Sequence, residues 1–357
     1  MCANKYAYDP DYAVAPGETV REVMESFGMT QREFAMRLDT TAQNLNRIFK
    51  GTQGITAEMA NKLERVTGTS ASFWNNLEGQ YRSQLAKEKE AENFQSQREW
   101  LKNFPLNELE KRGYIEKGLS FPKKFEAILS FFGVSSVQAW ENTWQRPAVA
   151  ARRSVCFERA PHLAATWIRM GENEAQKRTS KPTDIKKFKN TLEQIRPLTR
   201  EEPTIFCDKL DKLCADCGII LVLVREFKNL AWSGATKWNG NSAVIMLNLR
   251  GKQEDKFWFS FFHEAGHVIL HGKNDILIND GSLEDERENE ANEFAYSVLF
   301  KGKRDDIPKL RSTEEIRAFA QGLNISPGIV AGQYQFMTKR YTYYHKLIRH
   351  FKWNAES

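Results

Sequence analysis

From Pro16 to Tyr81 apolar residues recur at helical spacing in short blocks, each opened by a residue that can cap a helix. "GETVREVMESFG" places Val20, Val23, Met24 and Phe27 on one face, and Gly28 ends it. "MTQREFAMRLD" opens with Thr30 and carries Glu33 three residues on, the capping-box arrangement, so a helix burying Phe34, Ala35 and Leu38 is predicted. Asp39, which tolerates left-handed backbone, sits at the turn. Thr41 can cap the next helix, "TAQNLNRIFKG", which turns Leu45 and Ile48 inward and leaves Ala42, Gln43, Asn46 and Arg47 to solvent. Thr56 and Ser70 open a fourth and a fifth, the last running through Trp74 and Leu77. The pattern is that of a compact helical domain.

Beyond it, "SQLAKEKEAENFQSQREW" is rich in charge and has no Gly or Pro, which predicts an exposed helical extension. The middle of the chain also reads as helical, most clearly in "FPKKFEAILSFFGV" and "APHLAATWIRMGENEA". From Gly218 the period changes. "GIILVLVRE" is a buried strand, "GATKW" and "SAVIMLNL" are further strands, and "WNGN" carries an Asn-Gly hairpin signal. Helices follow, one through "FFHEAGHVILHG" and one through "DERENEANEFAYSVL". The expected organisation is multidomain: an all-α domain over 1–83, a helical middle region over 84–200 and an α+β domain over 201–357. No period of 20 to 50 residues repeats, which excludes a solenoid.

Composition changes this picture little. Of 357 residues, 41% are hydrophobic and 27% charged, ordinary for a globular protein. No run of about 18 apolar residues exists and "MCANKYAYDP" lacks the apolar core of a signal peptide, so no membrane contact and a cytoplasmic location are expected. Five cysteines are too few for a disulfide framework; Cys207, Cys214 and Cys217 offer three local thiols where a structural zinc wants four ligands, and read as small core residues. The net charge of +6 permits nucleic-acid binding. Much of the excess lies beyond residue 100, in "FPKKF", "ARR", "DIKKFK" and the tail "YYHKLIRHFKW".

Candidate chemistry sits on two pairs of helices. Residues four apart on a helix lie about 40° from one another around the axis, so His263 and His267 project from one face with Cβ atoms about 6 Å apart and can share a zinc ion. Glu264 lies about 100° around, where a carboxylate can serve as acid and base to an attacking water without ligating the metal. A third ligand is expected from "DERENEANEF". Glu288 and Asn292 share a face, as carboxylate ligand and as an amide that can orient a ligand histidine; Glu290, about 160° away, is the alternative ligand. Ala291 and Ala295 are small enough for the two helices to approach closely, and His271 reads as a surface residue. The second pair is the helix-turn-helix arrangement of the second and third helices. There Gln43 can read adenine, Arg47 can reach guanine or phosphate, and Gln31 and Thr41 suit phosphate contacts, with Ala42 and Asn46 on the same exposed face. Acidic and basic residues before Tyr81 nearly balance, so a dimer on two half-sites is expected.

Residues 12 to 82, with "PGETVREVMESFGMTQREFAMRLDTTAQNLNRIFKGTQGITAEMANKLERVTGTSASFWNNLEGQYR" in particular, resemble the HigA-type antitoxins of the Xre helix-turn-helix class. Residues from about 200 to 335, "GATKW…FWFSFFHEAGHVILHGK…ENEANEFA…ISPGIVAGQYQ", resemble the ImmA/IrrE metallopeptidase-like domain, of zincin-like fold. The resemblance implies a dimeric, operator-binding repressor paired with a small toxin such as a HigB-like messenger-RNA-cleaving ribonuclease. It further implies Zn2+ held by His263, His267 and Glu288, with Glu264 as catalytic acid/base of a zinc-dependent endopeptidase. One departure is visible: where the domain usually ends its glutamate helix in a Leu-Met-Pro-like run, this chain has Val298-Leu299-Phe300-Lys301. The resulting expectation is an antitoxin that represses its own operon; the alternative is a phage- or stress-response regulator whose peptidase cleaves a repressor protein.

Overall fold

The computed structural model describes residues 15–145, 160–178, 181–228, 232–271, 277–279 and 286–353. The N-terminal decapeptide, the basic "ARR" stretch and Asp285 lie outside the described residues. Contacts divide the chain into two units, Met1–Arg98 and Glu99–Ser357.

Among the described residues the first unit is five helices: α1 (Pro16–Ser26), α2 (Gln31–Arg37), α3 (Ala42–Phe49), α4 (Ala57–Thr67) and α5 (Ala71–Ser96). The side chains of Thr30, Thr41, Thr56 and Ser70 each accept from the backbone N–H three residues on, which satisfies a donor that the helix start would leave orphaned. The reciprocal half of the capping box is not made. Glu33 instead accepts from Arg37 at 2.8 Å, the i,i+4 partner its own helix supplies. Val20, Met24, Phe34, Leu38, Leu45, Ile48 and Trp74 form the core. Phe27 does not join them: α1 stops at Ser26, Gly28 turns the chain with φ of 66°, and the Phe27 ring is half exposed. The charged extension continues α5 as one helix, mostly exposed.

In the second unit, α6 (Phe121–Phe132), α7 (Pro161–Gln176), α8 (Ile185–Ile195) and α9 (Pro203–Asp216) precede a four-stranded sheet. Its strands are β1 (Ile219–Leu223), β2 (Gly234–Asn239), β3 (Ser242–Leu247) and β4 (Leu277–Asn279), in the order β1-β3-β2-β4. β1 runs parallel to β3, while β2 is antiparallel to β3 and β4. The hairpin pairs Asn239 with Ser242, so its two-residue loop is Gly240–Asn241 and not the Asn-Gly pair; Gly240, at φ of 59°, supplies the positive φ the first loop position needs.

Helix α10 (Glu254–Leu270) lies on one face of the sheet and α7 on the other: Thr236 of β2 bonds Glu264 of α10, while its neighbour Lys237 pairs with Glu172 of α7. α10 is apolar nearly all round because α11 (Glu286–Phe300) and α13 (Pro327–Thr338) cover its other sides, with α12 (Thr313–Leu323) behind α13. Trp258, Phe261, Phe262, Ala265 and Val268 are fully buried there. The start of α10 is tied down from far along the chain. Glu254, fully buried, accepts from the Arg349 backbone N–H at 2.9 Å and from its guanidinium at 2.6 and 2.8 Å. Cys214 and Cys217 are buried core residues, and burial pushes the Cys214 thiol well up, so it stays protonated and inert.

Gly17 sits where a Cβ would meet the Ile48 carbonyl oxygen at 2.0 Å, which is backbone and cannot move aside. Gly17→Ala should therefore destabilise the first unit by about 2 to 3 kcal/mol, read as a lowered midpoint in denaturant unfolding. An unchanged midpoint would refute the close approach of α1 to α3.

Candidate metal centre and DNA-reading helices

Three elements build the metal centre. α10 presents His263 and His267 one turn apart, α11 brings Glu288, and β2 lies beneath Glu264. α11 can come so near because Gly266 faces it: a Cβ there would stand 3.2 Å from the Ala291 Cα and 3.1 Å from the Phe294 ring. Ala291 and Ala295, both fully buried, keep the approach close along the next turn.

The Glu288 carboxylate reaches both imidazoles, Oε2 to His263 Nε2 at 3.1 Å and Oε1 to His267 Nε2 at 3.1 Å, and the two Nε2 atoms are 3.0 Å apart. Their ligand atoms all lie within 4.8 Å of one another, and the three residues are buried. Zinc bonds of about 2.0–2.1 Å place tetrahedral ligand atoms roughly 3.3 Å apart, so the donor set fits such an ion with shifts of a few tenths of an ångström. His263 Nδ1 lies 2.9 Å from Asn292 Oδ1. An amide oxygen only accepts, so His263 donates to it from Nδ1, which fixes the ring with Nε2 toward the cluster. Burial pushes the Glu288 carboxyl up, but its bonds to His263 and His267 outweigh this and hold it down at about 2. It is a carboxylate at any physiological pH.

Glu264 is fully buried and points elsewhere. Its Oε2 accepts from the Thr236 hydroxyl at 2.6 Å, while Oε1 has no hydrogen-bond partner. Burial pushes this carboxyl up to about 8, against the lowering effects of His263 and Thr236. The carboxylate can lie on β2 because residue 234 is glycine, where a Cβ would come within 2.6 Å of Oε1. Thr236 escaped the sequence reading. The signal was present in "GAT", two residues of one strand face, the first without a side chain and the second with a hydroxyl.

Glu290 turns away from the cluster and meets His271 Nδ1 at 3.6 Å with its own side chain half exposed. His271 is not a surface ring. Its side chain is 7% exposed, and Nε2 donates to the Arg287 carbonyl at 3.1 Å. The backbone leaves the helix at this residue, which folds the ring back over α11.

In the first unit, Ala42, Gln43, Asn46 and Arg47 are all exposed along α3, with Leu45 and Ile48 buried behind them. Thr41 caps α3 through its hydroxyl, and Gln31 donates from Nε2 to the Ala42 carbonyl at 3.1 Å, bridging the two helices across their turn.

The helix-turn-helix family matches residues 20–74, and the family described as IrrE N-terminal-like domain matches residues 215–331. The Escherichia coli protein YddM, named an HTH-type transcriptional regulator, is 33% identical over 63 residues, 18% of this chain and 67% of that protein. Virulence-associated protein I of Dichelobacter nodosus is 31% identical over 77 residues, 21% of this chain and 71% of that protein. Among solved structures, Pseudomonas aeruginosa antitoxin HigA with the higBA promoter is 32% identical, over 23% of this chain and 91% of that chain, at a TM-score of 0.22. The chain therefore belongs to the Xre-type helix-turn-helix transcriptional regulators, and it carries an IrrE-like domain, of a metallopeptidase-type family, in the same polypeptide. It is a DNA-binding regulator.

If Asn292 orients His263 as the 2.9 Å contact implies, Asn292→Ala should weaken metal affinity by roughly 10- to 100-fold in a chelator competition. Unchanged affinity would show the contact to be incidental.

Proposed function

We propose that this chain is a cytoplasmic, homodimeric antitoxin-type repressor of its own operon, and that its second unit is a zinc-dependent endopeptidase. What carries the hydrolytic half is one observation: two imidazoles and the Glu288 carboxylate converge in a buried site beside a second carboxyl, Glu264, held apart from them by Thr236. The IrrE-like family match over the same residues supports it. His263 and His267 would hold the ion through Nε2 and Glu288 through its carboxylate. Bound there, zinc would polarise the scissile carbonyl and make a water nucleophilic near neutral pH. Glu264 Oε1, the oxygen with no hydrogen-bond partner, takes the proton of the attacking water, while Thr236 fixes Oε2. With its affinity for protons raised by burial, the same carboxyl then returns that proton to the leaving amine.

The antitoxin half rests on the resemblance over residues 12 to 82 and on the exposed face of α3. Gln43 and Arg47 read base edges, Ala42 and Asn46 flank them, and Thr41 and Gln31 set the register against phosphate. Because the charge of the first unit nearly balances, two copies on two half-sites supply the affinity. The partner is a small ribonuclease toxin of HigB type. A second reading, a stress- or phage-response regulator that cleaves a repressor protein, is favoured by the buried Glu264–Thr236 pair, which a domain kept only as scaffold does not need.

Glu264→Gln should keep stoichiometric metal and abolish peptide cleavage; retained cleavage would sink the mechanism. If promoter repression survives in that variant, the antitoxin reading stands, and if it is relieved only by active enzyme, the repressor-cleaving one does. In a gel shift with the chain's own promoter, Gln43→Ala with Arg47→Ala should lower affinity at least about tenfold. An unaltered shift would remove α3 from the interface.

A further inference from the structure

The basic tail noted in the sequence takes no part in the site above. α13 ends at Thr338, Lys339 closes it in the left-handed region with φ of 58°, and the chain turns back at Tyr344, φ 56°. The base of this turn is fixed. Gln335 Nε2 donates to the Tyr343 carbonyl at 2.6 Å, Thr338 Oγ1 donates to the Tyr334 carbonyl at 2.7 Å, and Ile348 and Phe351 are buried just beyond. Its outer side is aromatic and cationic. Phe336 is 51% exposed, Tyr341 62% and Tyr343 48%, with Lys339, Arg340 and Lys346 exposed among them. The Lys339 ammonium sits 4.4 Å from the Phe336 ring centre and the Arg340 guanidinium 5.4 Å from that of Tyr343.

No Asp or Glu occurs between residues 316 and 353, so the segment itself supplies no carboxylate to offset these cations. Arg349 is committed to buried Glu254, which leaves the charge of the turn itself facing outward. Glu315, whose carboxylate bears on Tyr344, accepts from the Arg311 backbone N–H at 2.8 Å. Flat exposed rings beside cations on a firmly held turn match a polyanion that also offers flat faces. Unpaired nucleic acid does so, because its bases can stack on the rings while the cations meet phosphates. In a duplex the bases already stack on one another and the rings would be idle. A bilayer surface fits less well, since the exposed side chains of the turn include no Leu, Ile or Val to bury among acyl chains.

We infer that the turn from Phe336 to Lys346 is a second nucleic-acid site, binding single strands without sequence preference by stacking on Tyr341 and Phe336 and by phosphate contacts from Lys339, Arg340 and Lys346. It depends on neither the metal nor the α3 interface, so its fate is separable from the function proposed above.

The test uses the full chain with Gln43→Ala and Arg47→Ala, to silence α3, and a fluorescent oligo-dT of about 20 nucleotides read by anisotropy over a salt series. Binding is expected, with Tyr341→Ala weakening it on the order of tenfold at an unchanged salt slope, and Tyr341→Phe restoring it. Lys339→Ala with Arg340→Ala should flatten the slope by about 1.4, the share of two phosphate contacts on a single strand. Tyr341 is exposed, so its variant should melt like the parent, and a lost fold cannot mimic the result. Absence of oligo-dT binding, affinity indifferent to Tyr341→Ala, or preference for duplex or for phosphatidylserine vesicles over the single strand would each overturn the inference.

Discussion

The second unit depends on the contact of α11 with α10 at Gly266. With no side chain at 266 the Ala291 backbone passes closer than most Cβ contacts allow, and that spacing sets how far Glu288 must reach to touch both imidazoles. A methyl group at 266 would require Ala291 and Phe294 of α11 to give by a few tenths of an ångström at the turn that follows the carboxylate. The site is thereby coupled to core packing: the small residues that fill the helix interface also decide whether three donor atoms meet.

Around that contact the chain places its two carboxyls in opposite states by environment alone. Glu288 lies among hydrogen-bonding imidazoles and stays charged, while Glu264 lies on β2 with one hydroxyl partner and is driven toward the neutral form. One sequence motif and its partner helix thus hold chemically identical groups in different protonation states, as the proposed ligand and proton carrier require. The Glu254–Arg349 pair, whose partners are 95 positions apart, anchors the start of the helix that carries both histidines.

Much of this was legible in the sequence because its determinants are local. The caps at Thr30, Thr41, Thr56 and Ser70 and the inward set of Leu45 and Ile48 follow from spacing within a single helix. Helical phase favoured Glu288 over Glu290 but left Glu290 open as a ligand; the packed structure turns Glu290 onto His271. What escaped was non-local or too short. Thr236 stands 28 positions from Glu264, β4 is a three-residue strand with too little length for alternation, and Phe27 was lost where a helix stopped one residue early. The hairpin was read one position off because an Asn-Gly signal and a Gly-first loop share the same glycine.

The central claim, that His263, His267 and Glu288 hold one cation, is tested most directly by metal analysis of the purified chain after dialysis with zinc. The account predicts one zinc per chain, kept in Glu290→Ala and lost in Glu288→Ala with the fold intact by circular dichroism. A wild-type chain that retains no zinc, or one whose zinc survives Glu288→Ala, would contradict it.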